Sequence, residues 1–200
     1  MDLEEILAAT HLPTRAFFSR PSAVVAKDLL GATLLHRTAQ EALAGTIVEV
    51  EAYLGEGDPA AHSSAGRTHR TRAIFGPPGH AYVYRIYGMH RCLNVVAEPD
   101  GVPGCVLVRA VEPVCGISAM KSRRNVRRRV DIASGPGKLT AAMGIGMELY
   151  GADLLKGPLT IRPPNGPRRF ETETSPRVGI TKARDLELRF FVKNSAYVSR

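Results

Sequence analysis

Short stretches of alternating apolar and polar residues recur along this chain and predict most of its secondary structure. An alternation with a period of two is typical of strands, because successive side chains of a strand point to opposite faces. It predicts strands at 32–36, 46–53, 81–87, 91–97 and 105–111, with shorter ones at LTIRP, RVGIT and LRFFVK. Helices are predicted at 2–9, 21–30, 116–126 and 134–143, and residues 12–20 are predicted to be irregular.

The order of these elements indicates the class of fold. Helices and strands are mixed, and a tight turn at Gly88 joins the strands at 81–87 and 91–97 into a hairpin. A sheet built from hairpins is largely antiparallel, so we predict an α+β fold. The chain has 200 residues, of which 44% are apolar, which suits a single compact domain. The long segment at 54–79 is rich in arginine and histidine, and we expect it to be a functional loop.

The charge of the chain narrows the classes of partner. Its 27 basic and 19 acidic residues give a formal net charge of +8, which favours a polyanion such as nucleic acid. The apolar runs are too short for a transmembrane helix, and the acidic start is unlike a signal peptide, so we expect a cytoplasmic protein that does not bind membranes. The three cysteines lack CxxC spacing, which predicts reduced thiols rather than disulfides or a zinc ribbon.

The strand at 46–53 contains two acidic residues at alternating positions. The period of two places Ile47, Glu49, Glu51 and Tyr53 on one face, and the other face is apolar. The acidic face could be solvated, as is usual for such a segment. It could instead be the wall of a site where a carboxylate, an aromatic ring and His62 meet, with the carboxylate as general base.

Tyrosines in the predicted hairpin have two kinds of surroundings. Tyr82 and Tyr84 lie on one face of the first strand. Tyr87 lies on the opposite face or in the turn itself, next to Gly88 and Met89, where it is poorly placed for core packing. It is either an ordinary turn residue or a wedge that enters a stack of bases.

Polar residues inside apolar strands, together with basic residues elsewhere, are further candidates for residues of a functional site. Arg109 within VLVRAV requires a carboxylate or an anion, with nearby glutamates as candidate partners, and Asn94 requires a hydrogen-bond partner. SGPGKLT fails the Walker pattern, but its Lys138 could hold a single phosphate at a helix start. Arg67 and Arg72 are the other candidates for phosphate contacts. The spacing of the histidines predicts no metal site.

Long segments of the sequence resemble one family. The main ones are VEVEAYLGEGDPAAHSSAGRTHRTRAIFGPPGHAYVYRIYGMHRCLNVV, VLVRAVEP and ASGPGKLTAAMGI, which follow one another between residues 47 and 145. FFSRPSAVVAKDLLG and RVGITKA are similar as well. They resemble the alkyladenine DNA glycosylases, also called 3-methyladenine or methylpurine DNA glycosylases. The resemblance covers most of the chain, with departures at EPVCGISAM and in the loop GRTHRTRAIF.

The resemblance implies roles for the residues of the candidate site. Glu51 matches the general base that activates water, and Arg109 matches a residue that holds the nucleotide backbone near that water. Tyr53, His62 and Tyr84 match walls of the pocket that receives a flipped base.

The same resemblance implies how the protein selects a base and binds DNA. Asn94 matches the residue whose side chain disfavours the exocyclic amino group of guanine. Tyr87 matches the residue that fills the gap in the duplex, and Met89 belongs to the same DNA-inserting hairpin. The implied fold is a curved, mostly antiparallel sheet that is partly open and barrel-like, surrounded by helices and carrying this protruding hairpin.

The implied activity is that of a monofunctional DNA glycosylase acting as a monomer on double-stranded DNA with damaged purines, without metal or cofactor. Glu51 would activate the water that attacks C1′, and an abasic site would remain. The residues leave two other interpretations open. One is a non-catalytic nucleic-acid-binding protein, and the other is a metal-dependent nuclease that uses Glu49, Glu51 and Asp58.

Overall fold

The computed structural model describes residues 1–55 and 57–199; residue 56, in the predicted loop, and residue 200 lie outside the described part of the chain. The strands are β1 (Thr33–Arg37), β2 (Ala42–Tyr53), β3 (Ala81–Ile86), β4 (His90–Val96), β5 (Cys105–Cys115), β6 (Leu159–Arg162), β7 (Thr172–Ser175) and β8 (Arg189–Val192). The α-helices are α1 (Leu3–Ala9), α2 (Arg15–Phe18), α3 (Ser22–Leu29), α4 (Ile117–Arg124) and α5 (Pro136–Met143). Short 3-10 helices occupy His62–Ala65, Arg72–Phe75, Arg129–Asp131 and Met147–Leu149.

One antiparallel sheet contains all of these strands. Its main path runs β3-β4-β5-β2-β1-β6, and β8, which pairs with β7, also pairs with β2. The long strand β2 pairs with β5 along one edge, and along its other edge it pairs first with β1 and then with β8. Because β3 and β6 stand at opposite ends of the path, the sheet is open rather than a closed barrel. The predicted α+β fold is confirmed.

One face of the sheet forms the apolar core, and the other face lines a cavity. One face packs against α3 and α5 and forms the main apolar core. In β3, β4 and the first part of β5 the residues of this core are Ala81, Val83, Leu93, Val95, Val106 and Val108. The residues between them face the other side, as expected for strands, and they line a cavity: Tyr82, Tyr84, Cys92, Asn94, Leu107 and Arg109.

A β-bulge in β2 changes which of its residues share a face. From Ile47 to Glu49 the chain advances two residues along β2 but only one along β5. Such an extra residue interrupts the alternation of side chains. Ile47 therefore joins the main apolar core with Val50 and Ala52, and it does not share the face of Glu49 and Glu51. The prediction that Ile47 lies beside the two glutamates is wrong for this reason.

Several boundaries and elements also differ from the prediction. Residues 12–20 contain the short helix α2, and β2 and β5 extend beyond the predicted 46–53 and 105–111. RVGIT forms no strand, whereas the residues just before it form β7. The physical reason is that side chains compete for the polar groups of this segment: the backbone N–H of Val178 donates to Glu51, and Arg177 is bound by Asp58.

Two further findings concern the described residues as a whole. None of their helices is both long and apolar enough to cross a membrane. Cys92, Cys105 and Cys115 are free thiols, the first two of them buried.

Candidate active site

A cavity of about 570 Å³ opens on the face of the sheet opposite the main core. Its floor comes from β3, β4, β5 and the end of β2, and its rim comes from the loop after β2 and from residues 178–182. The volume is within the range of small-molecule pockets, roughly 300–1,000 Å³. The cavity brings together six of the residues singled out from the sequence, which are Tyr53, His62, Tyr84, Tyr87, Asn94 and Arg109.

Glu51 lies directly behind the wall of this cavity, and its side chain is 0% exposed. The hydroxyl of Tyr53 donates to its Oε2 at 2.9 Å, and the backbone N–H of Val178 donates to its Oε1 at 2.7 Å. Nη1 of Arg109 is 3.1 Å from the same Oε1. All three partners line the cavity. A carboxylate can accept at roughly four positions, and these three partners leave one acceptor position, on Oε2, without a donor.

Glu49 lies on the other side of Arg109 and is equally buried, with 0% of its side chain exposed. It accepts hydrogen bonds from Nε of Arg109 at 2.8 Å and from Nε of Arg189 at 2.7 Å. The backbone N–H and the hydroxyl of Ser199 donate to it at 2.6 and 2.8 Å. The interpretation of this face as solvated is therefore wrong. The ion pairs with glutamate that were predicted for Arg109 are present, and they involve both Glu49 and Glu51.

Arg109 is fixed between the two glutamates as a cation. Burial alone would lower the pKa of its guanidinium, but the charges of Glu51 and Glu49 outweigh burial and raise that pKa. Nη2 of Arg109 also donates to the hydroxyl of Ser199 at 3.2 Å. Charge-assisted hydrogen bonds of this kind hold both partners in a defined geometry. The arrangement therefore fixes the orientation of the Glu51 carboxylate relative to the cavity.

The aromatic wall of the cavity is held together by one hydrogen bond and by ring contacts. Nδ1 of His62 and the hydroxyl of Tyr82 are 2.9 Å apart, and the rings of Tyr82 and Tyr84 stack with centroids 5.3 Å apart. Burial raises the pKa of both tyrosine hydroxyls, which stay protonated. Burial, and secondarily the charge of Arg70, lowers the pKa of His62, so that its imidazole is neutral at pH 7. Tyr82 was not identified as a site residue from the sequence, although it shares a strand face with Tyr84.

Asn94 lies buried in the floor of the cavity with its amide held in one orientation. Nδ2 donates to the backbone carbonyl of Tyr82 at 3.2 Å, and Oδ1 accepts from the thiol of Cys105 at 3.7 Å. These contacts supply the partners that an asparagine in an apolar strand requires. Asn94 therefore presents a fixed polar group to whatever occupies the cavity.

A second buried ion pair lies behind Tyr53 and was not found from the sequence. Asp58 and Arg177 are both 0% exposed in their side chains and make two hydrogen bonds, of 2.5 and 2.9 Å. Burial alone would raise the pKa of Asp58, but the hydrogen bonds and charge of Arg177, with the N–H groups of Leu54 and Ala60, lower it. The cation of Arg177 lies against the ring of Tyr53, 4.7 Å from its centroid.

The hairpin between β3 and β4 carries two large apolar side chains that face solvent. Tyr87 is 84% exposed and Met89 is 73% exposed. They lie in a three-residue loop, since Ile86 pairs with His90. Tyr87 has a φ of 50°, a left-handed conformation that is strained for an aromatic residue and that often marks a functional site. Tyr87 also contributes to the mouth of the cavity.

The basic residues predicted to contact phosphate lie outside the cavity. Arg67, Arg72 and Lys138 are exposed, and the two arginines border a separate depression beside Tyr150. Their contacts with DNA stay a prediction.

The nuclease interpretation does not fit the partners of the carboxylates on which it depends. Glu49 and Glu51 are bound by Arg109, and Asp58 is bound by Arg177. Carboxylates whose charge is already compensated by arginine are poor metal ligands. Within residues 1–55 and 57–199 no group of three or more His, Cys, Asp or Glu residues is arranged to hold a metal ion.

An aromatic cavity with a few fixed polar groups and a buried carboxylate behind its wall has the features of an enzyme active site. The sequence profile of one family, described as methylpurine-DNA glycosylase (MPG), matches residues 16–196. The chain therefore belongs to the methylpurine-DNA glycosylase family. It is a DNA glycosylase, a hydrolase of N-glycosyl bonds, and the family resemblance of its sequence is confirmed.

Similar proteins from other organisms agree with this assignment. A protein of Methanoculleus marisnigri, named "Putative 3-methyladenine DNA glycosylase", is 56% identical over 188 residues, which cover 92% of this chain and 97% of the relative. Proteins with the same name from Methanocella arvoryzae and Koribacter versatilis are 48% and 47% identical. They cover 93% and 92% of this chain, and 94% and 91% of their own lengths.

Proposed function

We propose that this protein is a monofunctional DNA glycosylase that flips damaged purines out of double-stranded DNA and leaves an abasic site for base excision repair. Its substrates are damaged purines, with 3-methyladenine as the first expectation and 7-methylguanine, hypoxanthine and ethenoadenine as further candidates. The observation that carries this proposal is the position of Glu51, fully buried and bonded to three residues that line an aromatic cavity.

Base flipping accounts for the cavity and the hairpin together. A base inside a duplex is out of reach, and its extrusion costs a few kcal/mol of stacking and pairing. Tyr87, exposed and adjacent to the cavity mouth, would enter the gap and offset part of this cost, with Met89 beside it. The flipped purine would stack between Tyr53 and Tyr84, whose rings attract the electron-poor or cationic bases that alkylation produces.

The chemistry follows from the surroundings of Glu51. We assign the remaining acceptor position of Oε2 to a water molecule, which Glu51 deprotonates as the water attacks C1′. Positive charge develops on the deoxyribose as the glycosidic bond breaks, and the carboxylate also stabilises that charge. Tyr53 and Arg109 hold the carboxylate in place. Because a guanidinium carries roughly five N–H donors, Arg109 can also contact the nucleotide without releasing either glutamate.

Asn94 and His62 would set the base preference. Asn94 is held by Tyr82 and Cys105 and cannot turn aside for an extra substituent. We propose that it disfavours the exocyclic amino group of guanine. The neutral imidazole of His62 would hydrogen-bond the purine rather than repel a cationic base.

One experiment tests this function against the other two interpretations. Duplexes with a single 7-methylguanine or hypoxanthine, and an undamaged duplex, are incubated with the protein in EDTA, and each sample is divided for treatment with hot alkali. A monofunctional glycosylase gives strand breaks only at the lesion and only after alkali. A metal-dependent nuclease would lose activity in EDTA and otherwise break strands directly. A non-catalytic binding protein would give no breaks in any sample, and either result would refute the proposal.

A further inference from the structure

The ring of Tyr53 separates the cavity from a buried charge. Tyr53 lines the cavity, and the guanidinium of Arg177 lies 4.7 Å from the centroid of its ring. The side chain of Arg177 is 0% exposed, so this cation lies on the side of the ring that faces the protein interior. A base stacked on Tyr53 from the cavity would therefore share the ring with a permanent cation.

A cation on one face of an aromatic ring affects a ligand on the other face. The ring attracts a cation at either face, but two cations on opposite faces repel each other, and this repulsion is weakly screened inside a protein. Without compensation, Arg177 would favour neutral bases and disfavour the positively charged bases made by N-alkylation.

Asp58 supplies that compensation. Its carboxylate is fully buried and meets Arg177 through two hydrogen bonds, and its two oxygens also accept the N–H groups of Leu54 and Ala60. The buried ionic groups around the cavity then balance, with three carboxylates against three guanidiniums: Glu49, Glu51 and Asp58 against Arg109, Arg177 and Arg189. Removal of the charge of Asp58 alone would leave one excess cation directly behind Tyr53.

We propose that Asp58 is a specificity-determining residue, which neutralises Arg177 behind Tyr53 and so allows the cavity to accept positively charged purines. This inference rests on the proposed function, because it requires that a flipped base stacks on the ring of Tyr53. Asp58 acts through Arg177 and the ring, and it is a positioning residue rather than a catalytic one.

The ion pair also has a structural role, and the experiment has to separate the two. Arg177 donates to the carbonyl of Ala52 at 3.0 Å, and the next residue, Val178, donates to Glu51. Disturbance of these contacts would slow the excision of every lesion alike. The electrostatic effect differs, because a cationic lesion carries one more positive charge than a neutral lesion at every stage until the bond breaks. The ratio of the two rates therefore reports the charge behind Tyr53.

The test is an internal competition in one reaction. A duplex with 7-methylguanine and a duplex with a neutral lesion, each with its own fluorophore, compete for the same enzyme, so the ratio of their kcat/KM values does not depend on the fraction of active protein. The neutral lesion is hypoxanthine or ethenoadenine, whichever the wild-type protein excises; if it excises neither, the Ki of the hypoxanthine duplex replaces its kcat/KM. The variants are D58N, R177M and D58N/R177M, and the one carbonyl oxygen of Asn can still accept one of the two backbone N–H groups that Asp58 accepts.

The two single variants are expected to move the ratio in opposite directions, and the double variant is expected to restore it. D58N lowers the preference for the cationic lesion by about tenfold, in line with the strength of a desolvated cation–π contact. R177M raises the preference, and D58N/R177M returns it to within about twofold of wild type, because both charges are gone. If D58N does not fold, the rise in R177M and its reversal in the double variant decide the question.

The failure of this inference is distinct from the failure of the proposed function. Equal ratios in all variants, or D58N and R177M shifts in the same direction, would overturn the role of Asp58 while wild-type excision stands. Absence of alkali-dependent breaks with the wild-type protein would overturn the proposed function itself.

Discussion

The floor of the cavity, taken together with the charged residues buried behind it, and the tip of the hairpin are built in opposite ways. There, Glu49 and Glu51 are 0% exposed and accept hydrogen bonds or ion pairs from arginine, tyrosine, serine and backbone donors. At the tip, Tyr87 and Met89 project into solvent from a short loop. The floor is organised before DNA arrives, whereas the tip acquires its partner only in the complex. Substitutions in the floor should therefore affect chemistry or stability, and those at the tip should affect DNA binding alone.

The largest effect is expected at the carboxylate of the floor. Glu51→Gln keeps the shape of the side chain but removes the base, so the single-turnover excision rate should fall by roughly 10²–10⁴-fold. Affinity for the lesion duplex, measured by fluorescence anisotropy, should change little because the hairpin and basic surface are intact. Turnover near the wild-type rate in this variant would refute Glu51 as the general base.

The second floor residue should reveal its role through stability. Glu49→Gln leaves Arg189 without its charged partner and leaves Arg109 with Glu51 alone, and the free energy of unfolding in urea should fall by about 3–5 kcal/mol. The matched control is Glu171→Gln, because Glu171 makes an ion pair with Lys193 that is largely exposed. That change should cost less than about 1 kcal/mol. Similar small losses in both variants would show that the buried network is not needed for stability.

The tip should give the reverse pattern. Tyr87→Ala removes the side chain that would fill the duplex, and the Kd for a lesion duplex should rise by about tenfold, given the usual worth of base–aromatic stacking. Stability should change by less than about 0.5 kcal/mol, because the side chain makes little contact with the protein and alanine adopts the same strained backbone. Val24→Ala, another exposed apolar residue, is the control for DNA binding. An unchanged Kd for Tyr87→Ala would exclude the wedge.

The same contrast explains which parts of the molecule could be predicted from the sequence. The hairpin is local: its alternating strands and its turn at Gly88 lie within a short segment, and its position in the structure matches the prediction. The floor depends on distant contacts, such as Arg177 with Asp58 at a separation of 119 residues. Period-two alternation carries no information about such a pair, and it assigned RVGIT to a strand. The bulge after Ile47 is likewise set by pairing with β5.

The smallest expected effect concerns the neutral imidazole in the cavity wall. Burial, and then the charge of Arg70, holds the pKa of His62 below its ordinary value of 6.5, so folding favours the neutral form. The stability that this shift provides is fully present above pH 6.5 and is lost as the pH falls from 6.5 through the lower pKa of the folded protein. The urea midpoint of His62→Gln should therefore fall less on acidification than that of the wild-type protein.

Arg70→Gln sharpens the test, because NMR titration should show the His62 pKa moving up towards 6.5 while the fold is retained. An unchanged titration in Arg70→Gln would mean that burial alone keeps the imidazole neutral.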